Sequence, residues 1–172
     1  MNIYLACGLT HVPRENFDEY TNFIHKLASN LMSKNDNEVH YALINSDPQL
    51  SEKPFNDRAR LCYLWDRKMV ESADLIIAEA SYPSTGLGIE LQIAENNDIP
   101  IIVIFREMQN LKASPIEYEN PDHTKHTLQI GDGYVSLMAL GLPSIYKVIK
   151  YRTDIECYDL LSNSVQNISN KK

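Results

Sequence analysis

Asp74-Leu75-Ile76-Ile77-Ala78-Glu79-Ala80-Ser81-Tyr82-Pro83-Ser84-Thr85-Gly86-Leu87-Gly88-Ile89-Glu90 joins two kinds of periodicity through one polar loop. Its first five residues form a short apolar, β-branched run, the pattern of a strand covered on both faces. After the loop, Leu87, Leu91 and Ala94 recur at helical spacing. Gly86 and Gly88 let the backbone turn tightly and come close to a ligand, and the helix start offers unpaired N–H groups and a positive dipole end to an anion. Glu90 falls in the first turn or so, where that dipole favours its ionised form. Such a glutamate, beside Ser and Gly donors, suits attack on a sugar carbon. Acidic residues also occupy first helical turns simply to complement the dipole.

Outward from this stretch, apolar runs and helical repeats alternate. Ile3 to Cys7 reads as a first strand, Glu15 to Met32 as a helix, and Val39 to Ile44 as a second strand. A helix from about Asp57 to Ala73 leads into the strand Leu75 to Ala78. Leu87 to Asn96 is helical, Ile99 to Phe105 is a fourth strand, and Ile145 to Tyr151 a fifth. Residues 107–133 are polar and turn-rich without clear periodicity. Tyr134 to Leu140 reads as a short helix, and Thr153 to Val165 as a last helix capped by Thr153. The pattern predicts a doubly wound, flavodoxin/Rossmann-like α/β fold: a five-stranded parallel sheet with helices on both faces. Residues 1–166 make one domain and 167–172 a polar tail. Such sheets bind ligands beyond the carboxyl ends of their strands, so the loops after Cys7, Ile44, Ala78 and Phe105 should share one site.

At 172 residues, with 44% hydrophobic and 23% charged residues, the composition is that of an ordinary globular domain. A net charge of −7 argues against a nucleic-acid polymer or anionic membrane as partner, though not against one local phosphate pocket. No apolar run approaches a bilayer span. The three cysteines, Cys7, Cys62 and Cys157, are scattered without CxxC spacing, which reads as reduced thiols in the cytoplasm.

A second carboxylate comes from the helix before the central strand. Cys62, Asp66, Met69, Val70 and Ala73 share one face, and only Asp66 among them is charged. An acid on an inward stripe must be paired, protonated or used. Stepping back from residue 74 to 66 along a helix covers ~12 Å, while the strand climbs ~17 Å the other way. Asp66 thus comes within a few Å of the strand's carboxyl end. Two carboxylates in a partly desolvated pocket can divide the roles of nucleophile and acid. A buried Asp satisfied by loop N–H groups is an equal reading of the stripe alone.

The set Ile3-Tyr4-Leu5-Ala6, Asp66, Ala73 through Glu79, and Pro83-Ser84-x-Gly86-x-Gly88-x-Glu90 resembles the nucleoside 2-deoxyribosyltransferase superfamily, nearest to its 2'-deoxynucleoside 5'-monophosphate N-glycosidases. The resemblance runs without a gap from Asp66 through Phe105-Arg106 to Ser114, with a looser match over the first strand. It implies Glu90 as the nucleophile on C1', Asp66 as the carboxylate assisting base departure, and Tyr4 as a sugar-site tyrosine. Ser84 matches a phosphate-contacting serine. Ser114, nine positions beyond Phe105, matches one that reaches the phosphate from a neighbouring subunit, which implies a homodimer with a shared site. This pair of serines favours a nucleoside 5'-monophosphate substrate over a free nucleoside, and no cofactor is called for. In the first loop, Cys7 stands where the family usually has glycine; Gly8, Thr10 and Arg14 could still cradle a phosphate. Residues 117–142 are longer than in the hydrolases and have no evident counterpart.

Other constellations carry less. His123-x-x-His126 beside Asp122 has metal-pair spacing but no further ligands nearby, and a solvated loop explains it better. Glu79 fits a structural acid hydrogen-bonded to loop amides. No P-loop or dinucleotide fingerprint is present. Hydrolysis of a nucleoside monophosphate leads, base exchange by a deoxyribosyltransferase is the enzymatic alternative, and a non-catalytic nucleotide sensor is the third.

Overall fold

The computed structural model describes residues 1–34 and 36–170. β1 (Asn2–Cys7) leads through a 3-10 turn at Arg14–Asn16 into α1 (Phe17–Met32) and β2 (Glu38–His40). Two single-turn helices, α2 (Ala42–Asn45) and α3 (Asp47–Leu50), precede the long α4 (Phe55–Glu71). β3 (Leu75–Glu79), α5 (Thr85–Asn96) and β4 (Ile101–Arg106) follow, then a hairpin of β5 (Glu117–Glu119) and β6 (Lys125–Thr127). α6 (Leu137–Leu140), β7 (Ile145–Tyr151) and α7 (Asp154–Ser169) complete the described chain.

Five strands form one parallel sheet in the order β2-β1-β3-β4-β7. β3 is buried along its whole length and β4 nearly so, as the apolar runs Leu75–Ala78 and Ile101–Phe105 require. Side chains alternate between the faces. Ile3, Leu5, Leu75, Ile77, Ile102 and Ile104 pack against α1 and α7. Tyr4, Ala6, Ile76, Ala78, Ile101 and Val103 face α4 and α5. The winding reverses between β1 and β3, and that switch point is where such sheets take ligands. There Ala6 pairs with Ala78. These two small side chains leave room on the α4/α5 face for larger groups beside them. No helix among the described residues is long and apolar enough to cross a membrane.

The structure corrects several expected boundaries. The second strand stops at His40, because the Asn45 side chain accepts from the Tyr41 N–H at 3.0 Å and draws the next residues into a helical turn. Residues 107–133 hold an antiparallel hairpin whose three-residue strands are exposed on both sides, so no apolar alternation announces them. Gly86 and Gly88 do not make the turn after β3. Ser84, in extended conformation, caps a helix that already includes both glycines. Of the expected tail, 167–169 close α7, and 171–172 lie outside the described residues. Thr153 caps α7 as expected, accepting from the Glu156 N–H at 3.2 Å.

Glu79 ends β3 on the α1/α7 face, away from Glu90, and is fully buried. Tyr20 donates to it at 2.6 Å and Tyr151 at 3.0 Å, while the Ser81 backbone N–H and hydroxyl complete the cage. The Ser81 hydroxyl also accepts from the Arg106 N–H at 2.8 Å, tying β3 to β4. Burial pushes the Glu79 carboxyl above its ordinary range, and these donors pull against that push. A buried hydrogen-bonded acid of this kind is destabilising to remove, since its donors lose their acceptor together. Glu79→Ala should therefore lower unfolding free energy by about 3 kcal/mol. Urea denaturation checks this, and a loss below half a kcal/mol would contradict the structural role.

Candidate active site

Glu90 is the sixth residue of α5, and Tyr4 rises from the middle of β1 on the same face of the sheet. The Tyr4 hydroxyl donates to Glu90 Oε1 at 2.7 Å. Glu90 Oε2 is shielded from solvent and has no hydrogen-bond partner among the described residues. Burial pushes the Glu90 carboxyl up to about 8; the Tyr4 hydrogen bond opposes this, and the charge of Asp66 adds to it. The expectation that the helix dipole keeps Glu90 ionised is thus overturned. The dipole's influence fades within the first turn, Glu90 lies beyond it, and desolvation wins.

Asp66 comes from α4, on the stripe that faces inward. Its Oδ2 accepts from the Cys62 thiol at 3.3 Å, one turn earlier on the helix. Its Oδ1, like Glu90 Oε2, is shielded and takes no hydrogen bond among the described residues. Asp66 is near enough to Glu90 and Tyr4 that its charge raises both groups, and burial drives the Tyr4 phenol upward most of all. The structure therefore gathers Tyr4, Asp66 and Glu90, from β1, α4 and α5, around one point beside Ala6 and Ala78.

At the α5 N-terminus, the Ser84 hydroxyl accepts from the Leu87 N–H at 3.2 Å and keeps its own proton free to donate. Gly8 packs directly against it. A Cβ on Gly8 would stand 2.7 Å from Ser84 Cβ and 3.3 Å from the Tyr82 carbonyl, so only glycine lets the two loops meet. A cleft of about 550 Å³ opens here, lined among others by His11, Ser84, Thr85, Gly88, Tyr134 and Ser136. Gly88 has nothing within 4 Å of its would-be Cβ, and Gly86 lies near the Ser84 hydroxyl.

Three expected residues do not line the cleft beside Ser84. Thr10 is exposed, and Arg14 lies over the Phe17 ring, 5.5 Å from its centroid. Ser114 is exposed between the 3-10 turn after β4 and the hairpin, where a second copy of the chain could meet it. Arg106, at the end of β4, is held by Asp154 and Glu19 rather than turned toward the carboxylates. His123 pairs with Glu119 and His126 with Thr124, all on the exposed hairpin.

Sequence reading missed two contributors. The Cys62 thiol as a donor to Asp66 was legible in part, because the two share the inward stripe at i, i+4. The wall formed by Tyr134 to Ala139 was not, because it reaches the cleft only through a contact distant in sequence. Gly133 sits against Ala113, whose N–H donates to the Gly133 carbonyl at 2.8 Å, and Tyr134 stacks on Phe105 at 5.1 Å between ring centroids.

A flavodoxin-like parallel sheet with two part-buried carboxylates and a tyrosine near its switch point defines the class: a doubly wound α/β protein with a polar site on its α4/α5 face. No family model matches the chain. It is similar to two curated proteins, each named "Putative 2'-deoxynucleoside 5'-phosphate N-hydrolase 1". One, from Syntrophotalea carbinolica, is 36% identical over 62 residues, which cover 36% of this chain and 44% of that protein. The other, from Methanosarcina mazei, is 31% identical over 77 residues, covering 45% and 47%. The matched segment thus spans less than half the length of these relatives. A Clostridium botulinum CMP N-glycosidase has the same fold, with a TM-score of 0.58 at 19% identity over 95% of this chain and 99% of that one. These names fall in the superfamily that the motif set resembles.

The Glu90 proton has a consequence for stability. Its folded pKa, about 8, lies above the unfolded value of 4.5, so the unfolded chain releases the proton first. Stability falls as pH rises from the lower value to the upper and stays reduced above it. Glu90→Gln keeps an acceptor for Tyr4 and cannot ionise. It should melt above the wild type by roughly 3 °C or more at pH 8, with little difference at pH 5. Thermal unfolding across that range tests this, and a gain that ignores pH would refute the desolvated carboxyl.

Proposed function

We propose that this protein hydrolyses the N-glycosidic bond of a (deoxy)nucleoside 5'-monophosphate, releasing the free base and the sugar 5-phosphate. The observation that carries the reading is the carboxylate pair. Glu90 is fixed through one oxygen by Tyr4 and bare at the other, and Asp66, likewise bare at one oxygen, stands close enough to perturb it. Retaining glycosidases use such a pair.

In the proposed reaction Glu90 Oε2 attacks C1' as the bond to the base nitrogen breaks, and Asp66 assists the departing base. The electron pair of that bond leaves with the base, which takes up a proton from solvent water, Asp66 being the nearest acid to relay it. A glycosyl ester on Glu90 results, and water cleaves it with retention at C1'. Tyr4 holds Oε1 so that the attacking oxygen need not reorganise. Ser84, with its free proton at the start of α5, and Gly8, which admits the loop beside it, suit the phosphate. From Ser84 to Glu90 the helix rises about 9 Å, a span that a pentose 5-phosphate can bridge. Ser114 of a second copy would complete the phosphate site in a shared-site homodimer. The unpaired thiols suit a reducing compartment, and we assign the activity to the cytoplasm. A sensor without chemistry would gain nothing from two desolvated acids facing an anionic ligand.

Three measurements test the reading. Glu90→Ala should abolish base release from a panel of the common deoxy- and ribonucleoside 5'-monophosphates, followed by chromatography of the freed bases; near-normal turnover would end the assignment. Ser84→Ala should lower kcat/KM on monophosphates roughly 10- to 100-fold, as loss of a hydrogen bond to a charged group does, and spare free nucleosides. Because the nucleophile must be ionised, kcat/KM should rise with pH through about 8. An added free base that diverts sugar phosphate into a new nucleotide would select exchange over hydrolysis.

A further inference from the structure

We propose that Cys62 is a positioning residue for Asp66, doing for that carboxylate what Tyr4 does for Glu90. The inference rests on the hydrolase reading above. The two acids are held in the same way. Each has one oxygen engaged by a single donor, the Tyr4 hydroxyl on Glu90 Oε1 at 2.7 Å and the Cys62 thiol on Asp66 Oδ2 at 3.3 Å. Each has its other oxygen shielded from solvent and unbonded among the described residues. A buried carboxylate oxygen without a donor is costly, so both bare oxygens are placed for something outside the protein to meet.

The thiol is suited to this task. Cys62 and Asp66 are one helical turn apart on the inward stripe of α4, so the bond forms within a rigid element. Burial and the neighbouring Asp66 charge push the Cys62 thiol up to about 12, so it stays protonated and can donate. It is a weak donor. It orients Oδ2 and leaves Oδ1 open toward the departing base. The titratable groups around the pair are Glu90 of α5, Tyr4 and Cys7 of β1, and Asp47 of α3. All are acids or raised hydroxyl and thiol groups. Among the described residues, the Cys62 thiol is the one side-chain donor to Asp66.

The test compares C62A and C62S with wild type on the monophosphate turned over fastest in the panel. In C62A, kcat should fall roughly three- to tenfold, the scale of one weak hydrogen bond to a charged group, while KM stays within about twofold. Without the thiol, the Asp66 charge bears more fully on Glu90, so the acid limb of the kcat/KM profile should move to higher pH. C62S, which restores an O–H donor, should return kcat and the limb toward wild type. A C62A enzyme with unaltered kcat and pH profile overturns the proposal, and so does a C62S enzyme as impaired as C62A. If C62A does not fold, C62S decides alone: turnover and profile near wild type support the role, and loss of both refutes it. Turnover surviving Glu90→Ala removes the hydrolase reading and this proposal together. A dead Glu90→Ala enzyme beside an unaffected C62A removes this proposal only.

Discussion

The hydrogen bond from Tyr4 to Glu90 is the contact on which the site depends. A glutamate taken out of water inside an α/β core would ordinarily find several donors or be replaced. Here it finds one, and its other oxygen is left bare. The same molecule shows the ordinary solution a short distance away. Glu79 is the more deeply buried of the two, and it is enclosed by Tyr20, Tyr151 and two groups of Ser81. The sheet separates the two acids by parity. Glu79 projects to the α1/α7 face, whereas Tyr4 and Glu90 meet on the α4/α5 face. One carboxylate is therefore spent on joining strands, and the other remains chemically available.

That separation follows from elementary strand geometry. Ile3, Leu5, Leu75 and Ile77 fill one face, and Tyr4, Ala6, Ile76 and Ala78 the other. The aligned pair Ala6 and Ala78 occupies little volume at the switch point. A larger residue at either position would crowd the packed α4/α5 face that carries Tyr4. A register slip by one residue would send Tyr4 to the wrong face and leave Glu90 without its donor. The rigidity of a central parallel strand is thus part of the site's chemistry.

Much of this was legible in the sequence, for identifiable reasons. The strands Ile3 to Cys7, Leu75 to Ala78 and Ile145 to Tyr151 announce themselves by dense apolar runs, and the five-stranded parallel sheet follows from their alternation with helices. Asp66 stands out in the sequence because a charge on an apolar stripe is anomalous, and Glu90 because it follows two glycines at the start of a helix. The protonation of Glu90 was not legible, since local sequence shows the dipole and only tertiary packing shows the desolvation. The hairpin Glu117–Glu119 with Lys125–Thr127 escaped because solvent-exposed strands of three residues carry no alternating pattern. The short second strand was misjudged because an Asn45 side chain, not a turn dipeptide, ends it.

Along α5 the N-terminus and the second turn offer opposite electrostatics once Glu90 is ionised, and the proposed substrate has the matching asymmetry. The N-terminal end presents the Ser84 hydroxyl and the dipole's positive pole, where an anion is favoured. The second turn presents Glu90, where an anion is repelled and a carbon gaining positive charge is stabilised. A nucleoside monophosphate laid in the reverse sense would put its phosphate against two acids and its anomeric carbon against a positive pole. Each misplacement is unfavourable, and together they leave one orientation. An unphosphorylated nucleoside lacks the group that reads the helix end, so on the proposed reading its orientation rests on the base and sugar alone. On the proposed reading, one helix supplies both the reactive carboxylate and the constraint that aims the sugar at it.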